Sequence, residues 1–177
     1  MEPCSGGSPP SSPSTGALGY ARLVSEEPSP PFRFWPAGYQ ALQSLHLLVK
    51  DSGIEPALLE LVKLRASQIN GCAYCIDMHA KDARAAGETE QRIYCLSAWR
   101  ETSFYSDRER AALALTEAVT LVAQAHLAPN LVDEAAAVFA PDELSRLLYA
   151  IIEINAWNAL AITTGTPEPG SYTPGKP

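Results

Sequence analysis

From Ala37 onward, apolar side chains recur at three- and four-residue intervals, the spacing that lines one face of an α-helix. Tyr39, Leu42, Leu45, His46 and Val49 mark such a stripe over 37–50, and Asp51-Ser52-Gly53 breaks it. A second helix is expected from Pro56 to about Asn70-Gly71; proline is tolerated in a first turn, where its missing N–H would have had no partner. A third covers about 73–86 and stops at Gly87, and a fourth covers about 89–100. Ser106-Asp107-Arg108-Glu109 has the form of a capping box, with Ala112, Leu115, Val119 and Val122 as the stripe of the helix it opens. A short helix is expected over about 130–139. The last starts at Pro141, where Asp142 and Glu143 suit the positive end of the helix dipole, and runs to about Thr163. Leu144, Leu147, Leu148, Ile151, Ile152 and Ile154 make it apolar over much of its girth, so it should be buried on several sides, in the core or against another subunit.

No segment alternates apolar and polar residues between turn signals, so the expected fold class is all-α. A length of 177 residues suits one domain, placed at 17–164. Residues 1–16 and 165–177 are small, polar and proline-rich, and read as disordered tails. Residues 17–36, with Phe32, Phe34 and Trp35, read as an irregular packed arm. A net charge of -7 argues against nucleic-acid and anionic-membrane partners. No signal-like segment is seen near Met1, and no run approaches roughly 18 consecutive apolar residues, so the expected compartment is the cytoplasm.

Four cysteines are too few for a disulfide scaffold. Cys4 lies in the N-terminal tail, and Cys95 falls in an apolar helical pattern that reads as core. Cys72 and Cys75 form a C-x-x-C pair within Gly71-Cys72-Ala73-Tyr74-Cys75-Ile76-Asp77-Met78-His79. On a helix, Cys72, Cys75, Ile76, His79 and Ala83 share one face, and Asp77, Lys81, Arg84 and Glu88 share the other as two i,i+4 ion pairs. The thiols and the imidazole therefore point inward together. A thiolate is the nucleophilic form of cysteine, and both a helix N-terminus and a neighbouring imidazole stabilise it, so this face suits thiol redox chemistry. Glu60 shares a helix face with Ala57, Leu61 and Leu64, where a partly buried carboxylate could relay protons; it could equally be a surface residue paired with Lys63. Two other readings of the cysteines stand beside the redox one. Cys72, Cys75 and His79 could hold a structural zinc, though no fourth ligand lies nearby in sequence, or the thiols could serve packing alone. The lack of a βαβ context argues against a thioredoxin-type arrangement.

Glu60-(x)11-Cys72-x-x-Cys75-(x)3-His79, with its flank LVKLRASQINGCAYCIDMHAKDAR, resembles the signature of the AhpD-like alkylhydroperoxidases within the carboxymuconolactone decarboxylase superfamily. The resemblance extends over Trp99-Arg100-Glu101, Asp107–Leu113 and Ile154–Asn158, roughly residues 35–165. It implies an all-α helical-bundle subunit that forms trimers or hexamers. It also implies a peroxidatic Cys75, a resolving Cys72, and a Glu60–His79 proton relay. The activity implied is a peroxiredoxin-type oxidoreductase that reduces hydrogen peroxide or organic hydroperoxides, with an external thioredoxin-like or dihydrolipoyl dithiol as reductant and no metal or cofactor. The chain departs from the family at Tyr74, where better-characterised members have a second histidine, and at Ala159, where many have arginine. The alternatives are a decarboxylase-like enzyme and a non-catalytic redox-sensing oligomer.

Overall fold

The computed structural model describes residues 35–165 and 167–175. Cys4, the tail 1–16, and Phe32 and Phe34 of the arm lie outside the described residues. Among those described, the chain folds into seven α-helices and one 3-10 helix, with no strand. These are α1 (Pro36–Lys50), α2 (Pro56–Asn70), α3 (Ala73–Ala85), α4 (Glu90–Cys95), the 3-10 helix (Leu96–Glu101), α5 (Asp107–Thr120), α6 (Leu131–Ala136) and α7 (Pro141–Thr164).

Helix α2 is the hub and packs against α3, α5 and α7. Leu58, Leu59 and Val62 face a cluster with Leu115 of α5 and Leu147 and Ile151 of α7. Leu61 and Leu64 face a second cluster with Ala83 of α3, Leu96, Trp99 and Leu113. A helix apolar on opposite sides must be covered on both, and complete burial of each leucine contributes about 1.5–3 kcal/mol. The expected capping box is present at α5: the Glu109 N–H donates to Ser106 Oγ at 3.3 Å, and the Ser106 N–H donates to Glu109 Oε2 at 2.7 Å.

Three local features differ from the sequence expectation. The helix expected over 89–100 divides at Cys95 into α4 and the 3-10 helix, and Ala98 leaves helical geometry at φ -117° and ψ 30°. This tight path lets the Trp99 indole N–H donate to Glu117 Oε1 at 2.9 Å. The Asp77–Lys81 ion pair forms at 2.7 Å, but Arg84 pairs with Glu90, while Glu88 takes Arg92 at 2.8 Å. Gly87, at φ 98°, turns the chain away from α3, so Glu88 no longer projects from the same helix as Arg84. Cys95 is half-buried rather than enclosed in the core.

Helix α7 combines 24 residues with a mean hydropathy of 1.2 over its most apolar window, so by length and composition alone it could cross a membrane. Its buried side includes Leu147, Ala150, Ile151 and Ile154, together with Glu153 and Asn158, and packs into the helical core. Leu148, Tyr149 and Ile152 are exposed, and Tyr149 lines a shallow groove with Leu48 of α1, which is exposed too. Residues 167–175 carry no helix or strand, yet hydrogen bonds tie them to α3. Tyr172 donates its hydroxyl to both carboxylate oxygens of Asp82, at 2.7 and 2.9 Å, and its carbonyl accepts from Lys81 Nζ at 3.0 Å. The Gly170 N–H donates to Asp77 Oδ2 at 3.2 Å.

Candidate functional site

The turn between α2 and α3 delivers the C-x-x-C pair. Gly71 closes α2 in the left-handed conformation, at φ 72°, which a residue with a Cβ adopts only at a cost. Its N–H and that of Cys72 both return to the Ser67 carbonyl, the latter at 3.1 Å. The preceding Asn70 is anchored to α7: its amide N–H groups donate to Asn155 Oδ1 at 2.7 Å and Asn158 Oδ1 at 2.9 Å. Asn158 in turn donates to Ser67 Oγ at 3.0 Å. Each satisfied bond of this kind contributes about 1 kcal/mol, and leaving one of these groups unpaired would cost more. The network fixes where α3 starts relative to α7.

Cys72 occupies the N-cap of α3, and its sulfur accepts from the Cys75 N–H at 3.4 Å. The two cysteines are joined as a disulfide with Cα atoms 5.3 Å apart, and both are almost wholly buried. His79, one turn after Cys75, is also buried.

Glu60 reaches His79 from α2: Oε2 lies 2.8 Å from His79 Nδ1, while Oε1 lies 3.9 Å from Lys63 Nζ. Both partners weighed from the sequence are thus engaged, the imidazole at hydrogen-bond distance and the ammonium more loosely. Burial pushes the Glu60 carboxyl up, but the His79 hydrogen bond and the charges of His79, Lys63 and His46 outweigh it and hold the carboxyl below its ordinary value. An ionised carboxylate only accepts, so Nδ1 of His79 must carry the proton in this bond. Nε2 is buried without a hydrogen-bond partner. In the neutral ring that nitrogen is a bare acceptor.

Cys75 and His79 open onto a cavity of about 580 Å³ with predominantly apolar walls. Tyr39, Tyr74 and Trp157 line it, the Tyr39 and Trp157 rings meeting edge to face with centroids 5.4 Å apart. Burial, then the charges of Asp77 and Asp82, push the Tyr74 phenol up, so it stays a neutral O–H donor near neutral pH. A second carboxylate–imidazole pair faces the same space: His46 Nδ1 of α1 lies 2.8 Å from Glu153 Oε1 of α7. Neither residue was singled out from the sequence as a site residue, although each leaves a trace there. His46 falls on the apolar stripe of 37–50, and Glu153 is the lone charge in Ile151-Ile152-Glu153-Ile154. One oxygen or nitrogen from each of Glu60, His79 and Asp82 also falls within a 4.8 Å group that could hold a cation. Glu60 is engaged by His79, and Asp82 by Tyr172.

Residues 36–118 match the model of the Carboxymuconolactone decarboxylase family. The chain is 43% identical over 130 residues to the uncharacterized protein YdfG of Bacillus subtilis (strain 168), covering 73% of this chain and 88% of YdfG. A protein of unknown function from Agrobacterium tumefaciens, described as a candidate antioxidant defence protein AhpD, has a solved structure similar to this one. Its TM-score is 0.74 at 38% identity, over 78% of this chain and 94% of its own. An uncharacterized peroxidase-related protein from Ralstonia eutropha JMP134, with an alkylhydroperoxidase AhpD core, shares the fold with a TM-score of 0.65 and 18% identity, over 77% and 73% of the two chains. The chain belongs to the carboxymuconolactone decarboxylase superfamily and is AhpD-like within it.

Proposed function

We propose that the protein is a thiol peroxidase that reduces hydroperoxides through a Cys72/Cys75 dithiol–disulfide cycle. One observation carries this reading: a bridgeable cysteine pair sits at an apolar cavity, beside an imidazole whose outer nitrogen is unpartnered because Glu60 holds the inner one. In the reduced protein, His79 takes the thiol proton and Cys75 attacks the terminal peroxide oxygen as a thiolate. The S–O bond forms, the O–O bond breaks, and the leaving alkoxide or hydroxide is protonated to an alcohol or water. Cys72 then attacks the Cys75 sulfenic acid, closing the disulfide and expelling water. An external dithiol supplies two electrons by thiol–disulfide exchange and restores both thiols. The cycle calls on no metal, haem or flavin.

Cys75 is the attacking thiol in this reading because it is the cysteine that follows the helix N-terminus and lines the cavity with His79. Cys72, at the N-cap, is the resolving one. A homo-oligomer, trimeric or hexameric, and a cytoplasmic setting in which thiols are kept reduced fit the same reading. The test is peroxide consumption with a panel of reductants: thioredoxin-like, dihydrolipoyl and glutathione-type. Turnover with at least one, lost in Cys75→Ser, is the expected result; no consumption with any of them would overturn the proposal.

A further inference from the structure

Glu153 is 1% exposed, and one of its two oxygens, Oε2, is buried with no hydrogen-bond partner. Oε1 is engaged by His46 Nδ1 at 2.8 Å. Whichever of those two atoms holds the shared proton, Oε2 remains an acceptor. A buried acceptor without a donor is costly, so such an atom calls for a donor that arrives with a ligand. The cavity that Glu153 lines has predominantly apolar walls, and His79, whose Nε2 is likewise orphaned, lines it with Cys75. The two carboxylate–imidazole pairs are near enough that the charge of His46 bears on Glu60.

We propose that Glu153, positioned by His46, is a substrate-binding group of this cavity, accepting a hydrogen bond from the O–H of a neutral organic hydroperoxide whose apolar body lies against Tyr74 and Trp157. The assignment deepens, and rests on, the peroxidase reading. An –OOH group offers one donor, which suits Glu153, and oxygen lone pairs for its other neighbours. A cavity of about 580 Å³ with aromatic walls has room for a body the size of an arylalkyl group, which hydrogen peroxide lacks. A substrate bearing its own carboxylate would bring a second acceptor to an acceptor and is disfavoured. The step balances as Cys75–SH plus ROOH giving Cys75–SOH plus ROH. The alcohol keeps an O–H that Glu153 can still accept.

The experiment uses the reduced full-length protein and two readouts. The first is binding, followed by tryptophan fluorescence, of 2-phenyl-2-propanol against isopropylbenzene, which has the same body without the hydroxyl. The alcohol should bind about 10-fold more tightly than the hydrocarbon, and Glu153→Leu, which leaves no acceptor, should remove most of that difference. The second is the single-turnover rate of Cys75 oxidation by cumene hydroperoxide relative to hydrogen peroxide. That ratio should fall about 10-fold in Glu153→Leu, with the loss appearing in the half-saturating hydroperoxide concentration more than in the maximal rate. His46→Ala should move the ratio in the same direction, and His46→Gln, which can still donate to Glu153, should recover part of it. Equal binding of alcohol and hydrocarbon by the unmutated protein would overturn the proposal even if the variants fail to fold. So would a Glu153→Leu protein that keeps the alcohol preference. If Cys75 reacts with neither hydroperoxide while the alcohol preference is present and Glu153-dependent, the peroxidase reading falls and the binding assignment stands.

Discussion

Glu60 Oε2 lies 2.8 Å from Nδ1 of His79, across the α2–α3 packing and buried beside the cavity that holds Cys75. This bond decides which imidazole nitrogen meets the carboxylate and leaves Nε2 without a partner. His79→Ala removes the proton acceptor and should slow Cys75 oxidation by about 10²–10⁴-fold, the usual range for a general base. Glu60→Gln should slow it in the same direction, because an amide also offers a donor and no longer enforces the tautomer. Both variants should keep the fold by circular dichroism. Stopped-flow oxidation of pre-reduced protein measures the rates, and an unchanged rate in His79→Ala would remove it from the mechanism.

The thiol roles make separate predictions. Peroxide should convert reduced protein to the Cys72–Cys75 disulfide and leave Cys95 as a thiol. Cys75→Ser should be inactive and show no sulfenic acid at Cys72. Cys72→Ser should trap the sulfenic acid on Cys75, because attack precedes resolution. Peptide mass mapping with a sulfenic-acid probe reads all three. A bridge to Cys4 or Cys95 would contradict the assignment.

Glu117 is the electrostatic tie of the opposite side. It accepts from Arg65 Nε at 2.8 Å, from the Trp99 indole at 2.9 Å and from Arg100, joining α2, the 3-10 helix and α5. Burial raises its carboxyl, but the bonds from Arg100, Trp99 and Arg65 overcome this and hold it below the ordinary value. For a lowered carboxylate, the stabilisation is fully present above the unfolded-state value and is lost as pH falls through the folded-state value. Glu117→Ala should therefore cost about 1–2 kcal/mol at pH 7, since the site is only partly buried and solvent screens its bond to the exposed Arg100. The gap between variant and unmutated protein should narrow below about pH 4. Urea denaturation at several pH values measures both; a gap that widens on acidification would refute the assignment.

Leu48 of α1 and Tyr149 of α7 line one shallow groove and are both exposed, as are Leu47 and Ile152 on the same two helices. Apolar surface of that kind is normally covered, and the reading of α7 as a helix buried on several sides asks for a second copy there. Sedimentation equilibrium at micromolar concentration should return a closed homo-oligomer. A monomer would refute this, and Leu48→Glu should weaken the assembly if the patch is the contact.

Much of this architecture was legible in the residues. The helices over 37–50, 56–70 and 73–86 follow the 3.6-residue period, and Gly71 and Gly87 mark real turns because each takes a positive φ. The common inward face of Cys75 and His79 follows from i,i+4 spacing alone. Spacing could not decide whether Glu60 reaches Lys63 or His79, since His79 is on another helix and the α2–α3 packing settles it. His46 and Glu153 are 107 residues apart, so nothing local joins them. The break at Ala98 has no glycine or proline to announce it; it is set by where Trp99 must point to reach Glu117.

The bonds from Tyr172 to Asp82 and from Gly170 to Asp77 run from the C-terminal segment to α3, the helix that carries Cys75 and His79, and Pro167 of that segment forms part of the cavity wall. A chain shortened after Gly165 would retain all seven α-helices and still lose one boundary of the cavity that Cys75 and His79 line. Its melting temperature would then be a poor guide to its competence. For anyone trimming this protein for crystallisation, or attaching a label beyond Tyr172, a segment that looks dispensable by composition is one that helps wall the cavity beside Cys75.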